Sequence, residues 1–257
     1  MAVDEYLFRT LPAEPRTAVR FYQWNRPTAS LGYGQIPSQV VDLDFCLANG
    51  VEVVRRITGG KLVLHFREVT YSVVSSDVET FTATLGGSYK RISRGLVDGL
   101  TLMGLSAVLA DQAPSFYARG TMPCFSHPAQ DEVEIEGRKI IGSAQKRIGD
   151  RFLQHGSIPL HEDEDLLKAV SFLRGDPSRI RMTSLSEALG RPVEFAEAAA
   201  SLIAGLASFF QVDFEPIVFE ASDLKAIGDL RCRKYASDAW TLSAREEDPV
   251  SPHEPTS

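Results

Sequence analysis

Between residues 81 and 104, apolar side chains return every three or four positions: Phe81, Leu85, Tyr89, Ile92, Leu96, Leu100 and Met103. That period predicts an amphipathic helix over 81–104. A second stripe, Phe195, Ala199, Leu202, Ile203, Leu206 and Phe209, predicts another over 194–210. Shorter helices are expected over 39–49, where Gly50 ends the pattern, over 162–172 and over 220–236. Elsewhere the apolar runs are short and β-branched, which predicts strands. Residues 18–24 and 29–33 form such a pair, broken by Asn25-Arg26-Pro27. VEVVRR (51–56), KLVLH (61–65) and VTYSVV (69–74) follow, with Gly59-Gly60 at the first turn. A meander is expected from DEVEIEG, RKIIGSAQKRI and RFLQHGSIPL (131–160), turning at Glu136-Gly137 and Gly149-Asp150. One more strand is expected over 212–219. Pro114, Pro123 and Pro128 make 113–130 an irregular loop.

Strands and helices without regular βαβ alternation predict the α+β class, with mixed, mostly antiparallel sheets flanked by helices. Residues 1–240 read as one domain. From 241 to 257 the chain is polar and Pro-bearing, which predicts a disordered tail.

The 257 residues are 44% hydrophobic and 24% charged, an ordinary globular balance that excludes low-complexity classes. Lys plus Arg is 27 against 34 Asp plus Glu, a net charge of −7. That charge opposes non-specific nucleic-acid binding, so no nucleic acid partner is expected. The three cysteines, Cys46, Cys124 and Cys232, are odd in number and far apart. A disulfide framework is not expected, and a cytoplasmic location is. Met1 to Phe8 carries Asp4 and Glu5 and does not read as a signal peptide. No run approaches 18 apolar residues, so no membrane association is expected.

Common nucleotide motifs are missing. Gly59-Gly60-Lys61 lacks the earlier Gly and the Ser/Thr of a P-loop. Cys124-x-x-His127 is half a metal site with no second pair, so no metal is expected. Arg55-Arg56-x-x-Gly59-Gly60-Lys61 is more suggestive. Two cations leave a strand and meet a glycine turn, a pattern that suits an anion but equally a plain hairpin with solvated arginines. The meander adds Arg138, Lys139, Lys146, Arg147 and Arg151, a local reversal of the acidic charge. Gly142-Ser143-Ala144 are small and let a ligand or a packed helix approach the strand. His65 and His155 sit among apolar strand residues, where a satisfied core histidine is the default. Cys46 fits an inert core thiol. Cys124 lies in the Pro-rich loop, and a nearby cation would lower its pKa and make a nucleophile.

Taken together, these segments resemble the biotin/lipoyl ligase and transferase superfamily. The resemblance rests on five blocks in order: FYQWNRPTASLGYGQ (21–35), RRITGGKLVLHFREVTYSVV (55–74), GRKIIGSAQKR (137–147), LQHGSIPL (153–160) and RKYASDAW (233–240). PCFSHPAQDEVEIEGRKIIGSAQ (123–145) is most similar to its cysteine-dependent octanoyltransferases, in which a Cys-Phe pair precedes the lysine strand. The chain departs from the pattern at Lys61, Phe66 and His127. Its Met1-Ala2-Val3-Asp4-Glu5 resembles a helix start that in the family follows a first strand, so a missing first strand is expected.

The resemblance implies the catalytic-domain fold of these ligases and an acyltransferase that needs no cofactor. Cys124 is implied as nucleophile and Lys139 as the lysine that stabilises its thiolate and polarises the carbonyl. Arg55, Gly59, Gly60, Lys61 and His65 would line the substrate pocket, with Ser143, Ala144, His155 and Gly156 on its other wall. Leu62, Leu64, Val73 and Ile141 would line an apolar tunnel. The implied donor is octanoyl acyl carrier protein. The implied acceptor is a lipoyl-domain lysine, as in the glycine cleavage H protein or a dehydrogenase E2. A lipoate–protein ligase using ATP and Mg²⁺ is the alternative, and a non-catalytic acyl or carrier binder the second.

Overall fold

Short strands assemble into one six-stranded sheet, antiparallel throughout. In spatial order it runs β1 (Thr17–Tyr22), β5 (Glu68–Ser75), β9 (Arg151–Pro159), β8 (Arg138–Ile148), β7 (Val133–Ile135) and β6 (Ala107–Leu109). This computed structural model describes residues 1–12, 15–110, 132–172 and 182–246. A smaller sheet orders β3 (Glu52–Arg55), β2 (Thr28–Leu31) and β4 (Val63–His65), with β2 parallel to β3 and antiparallel to β4.

Strand alternation gives the large sheet two faces. Val69, Tyr71, Val73, Ile141, Phe152 and Ile158 face α5 (Leu85–Leu102) and α8 (Phe195–Phe210) in the main core. Val74 and Leu153 face the other way. They meet α1 (Ala2–Thr10) and the C-terminal run of α9 (Ala221–Leu230), a π-helical turn (Arg231–Tyr235) and α10 (Asp238–Ser243). The small sheet covers the rest of that second face, supported by α3 (Leu43–Ala48) and α6 (Glu164–Val170).

Several elements differ from the sequence expectation. The 81–104 pattern divides into α4 (Val78–Phe81) and α5, because Thr82 takes φ +64 between them. Phe81 still packs into the core, which is why the stripe looked continuous. The 39–49 pattern divides into α2 (Pro37–Val40) and α3, where Asp42 accepts a cap hydrogen bond from Phe45 N at 2.8 Å. Residues 212–219 form no strand. Phe214, Ile217 and Val218 are exposed, and Pro216 has no N–H to donate. The chain also stays folded past 240. Trp240 and Thr241 are buried, α10 runs to Ser243, and Glu246 pairs with Lys234 and Arg9. Polar composition concealed a helix whose anchor is one tryptophan.

Candidate functional site

The lysine strand enters the site through a bulge. Glu134 pairs with Lys139 but Val133 pairs with Ile141, so β8 carries one extra residue there. Ile140 and Ile141 consequently both enter the main core. The extra residue turns Lys139 onto the opposite face, which Gly142 and Ala144 share. Lys139 is fully buried, and its Nζ donates to Glu132 Oε1 at 2.7 Å. The ion pair ties Glu132, the residue just before β7, to β8.

Between the two sheets lies a narrow cleft of about 20 Å³, partly open to solvent, with room for little more than a water molecule. Val63, His65 and Arg56 form its small-sheet side. Gly142, Ser143, Ala144, His155, Gly156 and Ser157 form its large-sheet side. Five of the residues expected to bind substrate, His65, Ser143, Ala144, His155 and Gly156, therefore converge here from blocks far apart in sequence.

His65 is held between a carboxylate and a hydroxyl. His65 Nδ1 lies 2.6 Å from Glu68 Oε1, and its Nε2 lies 2.6 Å from Ser30 Oγ. Arg56 Nη1 donates to Ser30 Oγ at 2.6 Å, which leaves the serine proton for His65 Nε2. Glu68 also accepts from Ser157 and Thr70, and Trp24 stacks on the imidazole at 4.5 Å. Both nitrogens of His65 are engaged, so it shapes the wall. His155 Nε2 lies 2.7 Å from Thr58 Oγ1. Its Nδ1 stands 3.9 Å from Asp4 Oδ2, too far for a hydrogen bond, and makes none. Burial holds the His155 pKa below the ordinary value. Burial pushes Asp4 upward, but the terminal amine, His155 and Arg20 outweigh it and hold that carboxyl well below the usual range.

The remaining expected residues separate. Arg55 is buried away from the cavity. Its guanidinium donates to the carbonyls of Gly32, Tyr33 and Gln35 on one side and of Trp240, Thr241 and Leu242 on the other. It ties the 32–35 loop to α10. Arg56, its neighbour, reaches the cavity instead and donates to the carbonyls of Ser30, Gly59 and Lys61. Gly59 and Gly60 are exposed at the cavity's edge, with Lys61 beside them. Gly60 has φ +93, and a Cβ there would sit 3.6 Å from Ala144 Cβ. Gly156 lies in one row with Tyr71 and Ser143 across β5, β9 and β8. A Cβ on it would meet Tyr71 Cε1 at 2.5 Å and Ser143 Oγ at 2.7 Å. The Ser143 hydroxyl bonds Tyr71 OH at 2.7 Å on the α5 face, so Ser143 borders the cavity through its backbone. Val73 and Ile141 also belong to the α5 face, and Leu64 lines a separate pocket with Phe66. The tunnel composition expected from sequence is therefore corrected. Cys124 and His127 lie outside the described residues. Burial pushes the Cys46 thiol up to about 11, which suits an inert core residue.

Sequence reasoning passed over Asp4, Ser30, Thr58, Glu68 and Glu132. Each is a buried polar side chain. Glu68 carried the clearest signal, a carboxylate opening a strand whose every residue is buried.

Residues 1–207 match the model of the lipoyl protein ligase A/B catalytic domain. The octanoyltransferase LipM of Brevibacillus brevis is 34% identical over 94% of this chain and 93% of its own. The octanoyltransferase LipM of Symbiobacterium thermophilum is 37% identical, again over 94% and 93%. A crystal structure of lipoate–protein ligase A bound with ATP superposes with a TM-score of 0.80 at 24% identity, over 94% of this chain and 92% of that one. That last likeness concerns the fold. Family match, near-complete relatives and shared architecture agree: the chain belongs to the lipoyl protein ligase A/B catalytic domain family.

Proposed function

We propose that this chain is a protein octanoyltransferase that acts through a thioester on Cys124. The observation that carries the activity is the similarity to octanoyltransferases along almost the whole of both chains. An acyl donor and a lipoyl-domain acceptor follow from that activity. We take the donor to be octanoyl acyl carrier protein and the acceptor a lysine of a lipoyl domain, such as that of the H protein or an E2.

In this reading the Cys124 thiolate attacks the donor thioester carbonyl. The carrier thiolate leaves and takes a proton, and an acyl-enzyme thioester remains. The deprotonated acceptor amine then attacks, the amide forms, and the Cys124 thiolate is expelled. Exchange of one thioester for another is nearly isoenergetic, and the amide lies downhill, so no nucleotide is consumed. Lys139 supplies a buried positive charge that favours thiolate and oxyanion alike. Glu132 keeps that ammonium in place while partly offsetting its charge.

The test is octanoyl transfer from carrier protein to a lipoyl domain without ATP. The wild type should transfer, and Cys124→Ala should lose at least about 1,000-fold in rate while its circular dichroism is unchanged. Full activity in Cys124→Ala, or pyrophosphate release on adding lipoate and ATP, would overturn this reading in favour of a ligase.

A further inference from the structure

The acyl end of the site carries a length limit that can be read off β8. Lys139, Gly142 and Ala144 share one face of this strand, set by the bulge. The bulge absorbs one residue, so at about 3.3 Å per remaining step Gly142 lies about 7 Å along the strand from Lys139 and Ala144 about 13 Å. An extended eight-carbon acyl chain, with C–C bonds of about 1.5 Å in zigzag, spans about 9 Å from carbonyl carbon to methyl. With its carbonyl beside Lys139, such a chain runs over Gly142, where no side chain obstructs it, and ends short of Ala144.

At Ala144 the space closes. The Gly60 α-carbon faces the Ala144 methyl across the gap between the sheets, and Arg56 Nη2 stands directly behind it. A position one Cβ beyond Gly60 is 3.6 Å from Ala144 Cβ and 3.3 Å from Arg56 Nη2. A longer chain therefore meets a methyl group first and a guanidinium second. The guanidinium is already held by Ser30, Gly59 and Lys61, and an alkyl tail cannot replace those acceptors. Gly142 also lines the same cleft as Ala144, Arg56 and Val63.

We propose that Ala144, packed against the Gly60 turn and backed by Arg56, is the residue that sets acyl chain length, ending the channel about one octanoyl group from Lys139. This rests on the acyltransferase reading above. Neither the register of β8 nor the Gly60 contact enters that reading, so the two can fail separately.

The experiment compares wild type, Ala144→Gly and Ala144→Val on carrier protein loaded with hexanoyl, octanoyl, decanoyl or dodecanoyl groups. Valine suits a strand, and thermal melting of both variants monitors the fold. Wild type should prefer octanoyl, with kcat/KM falling about tenfold or more for decanoyl. Ala144→Gly should recover decanoyl transfer, and Ala144→Val should shift the optimum to hexanoyl. Binding of hexanoate, octanoate, decanoate and dodecanoate to the same proteins, by calorimetry, should follow the same order without turnover. An optimum unchanged in both variants, with wild-type transfer intact, would overturn the inference and leave the activity standing. Absent transfer with shifted fatty-acid binding would overturn the activity and leave the length limit standing.

Discussion

His155 shows how a single residue couples the site to stability. Its imidazole is buried, and burial holds its pKa below the ordinary value near 6.5. In the unfolded chain the ring takes up a proton below about pH 6.5, while the folded ring resists it. The unfolded state then binds more protons, so stability falls as pH drops from about 6.5 toward the depressed folded value. Denaturant unfolding between about pH 7.5 and 5 should show that loss, and His155→Gln should flatten it. Equal slopes in the two proteins would place the acid sensitivity elsewhere. The sequence placed His155 in a substrate wall, and the structure puts it on the cavity. What the sequence could not supply was the nearby Asp4 carboxylate, because the neighbours of a buried imidazole are chosen by packing between distant segments, not by spacing. Lys139 is similar. Its strand was legible from Ile140-Ile141, yet its partner Glu132 lay hidden inside a run of acidic residues that reads as a solvated turn.

At the scale of elements, the joint between β3 and α10 matters most. Arg55 satisfies carbonyls from both the 32–35 loop and the end of the chain, and Trp240 Nε1 returns a hydrogen bond to Arg55 O at 2.9 Å. Only a planar fork of donors fits such a cluster. Arg55→Lys should lose at least about 3 kcal/mol in equilibrium unfolding, because several buried carbonyls are left unpaired. Its α10 should become the first site of limited proteolysis. A stability loss below about 1 kcal/mol would show that the carbonyls find water instead. This joint was half legible. The paired arginines were visible as candidate chemistry, but their roles divide by strand alternation, which sends Arg55 to α10 and Arg56 to the cavity. Helix periodicity gave the right faces for α5 and α8 and the wrong ends for α5, since a positive φ at Thr82 leaves no mark on a hydrophobic stripe. The exposed 212–219 run failed as a strand for a related reason. Apolar composition alone supplies no pairing edge.

For the molecule as a whole, two sheets face one another across a narrow gap, and the elements that close it come from both ends of the chain. α1 and α10 cover one side, while the lysine strand and its bulge form the floor of the other. Among the described residues no helix is long and apolar enough to cross a membrane. The class of fold was legible because turn signals and strand runs are local. The gap was not, because it depends on which faces of β5, β8 and β9 meet the small sheet, a matter of register.

The central claim is that an acyl group passes through Cys124, and intact-mass spectrometry reads this directly. The protein is incubated with octanoyl acyl carrier protein in the absence of ATP, quenched in acid and weighed. One added octanoyl group is expected on the wild type, mapped to Cys124 by peptide fragmentation, absent from Cys124→Ala and discharged when a lipoyl domain is added. A protein that gains no such mass yet still transfers octanoyl, or that carries it on another residue, contradicts the account.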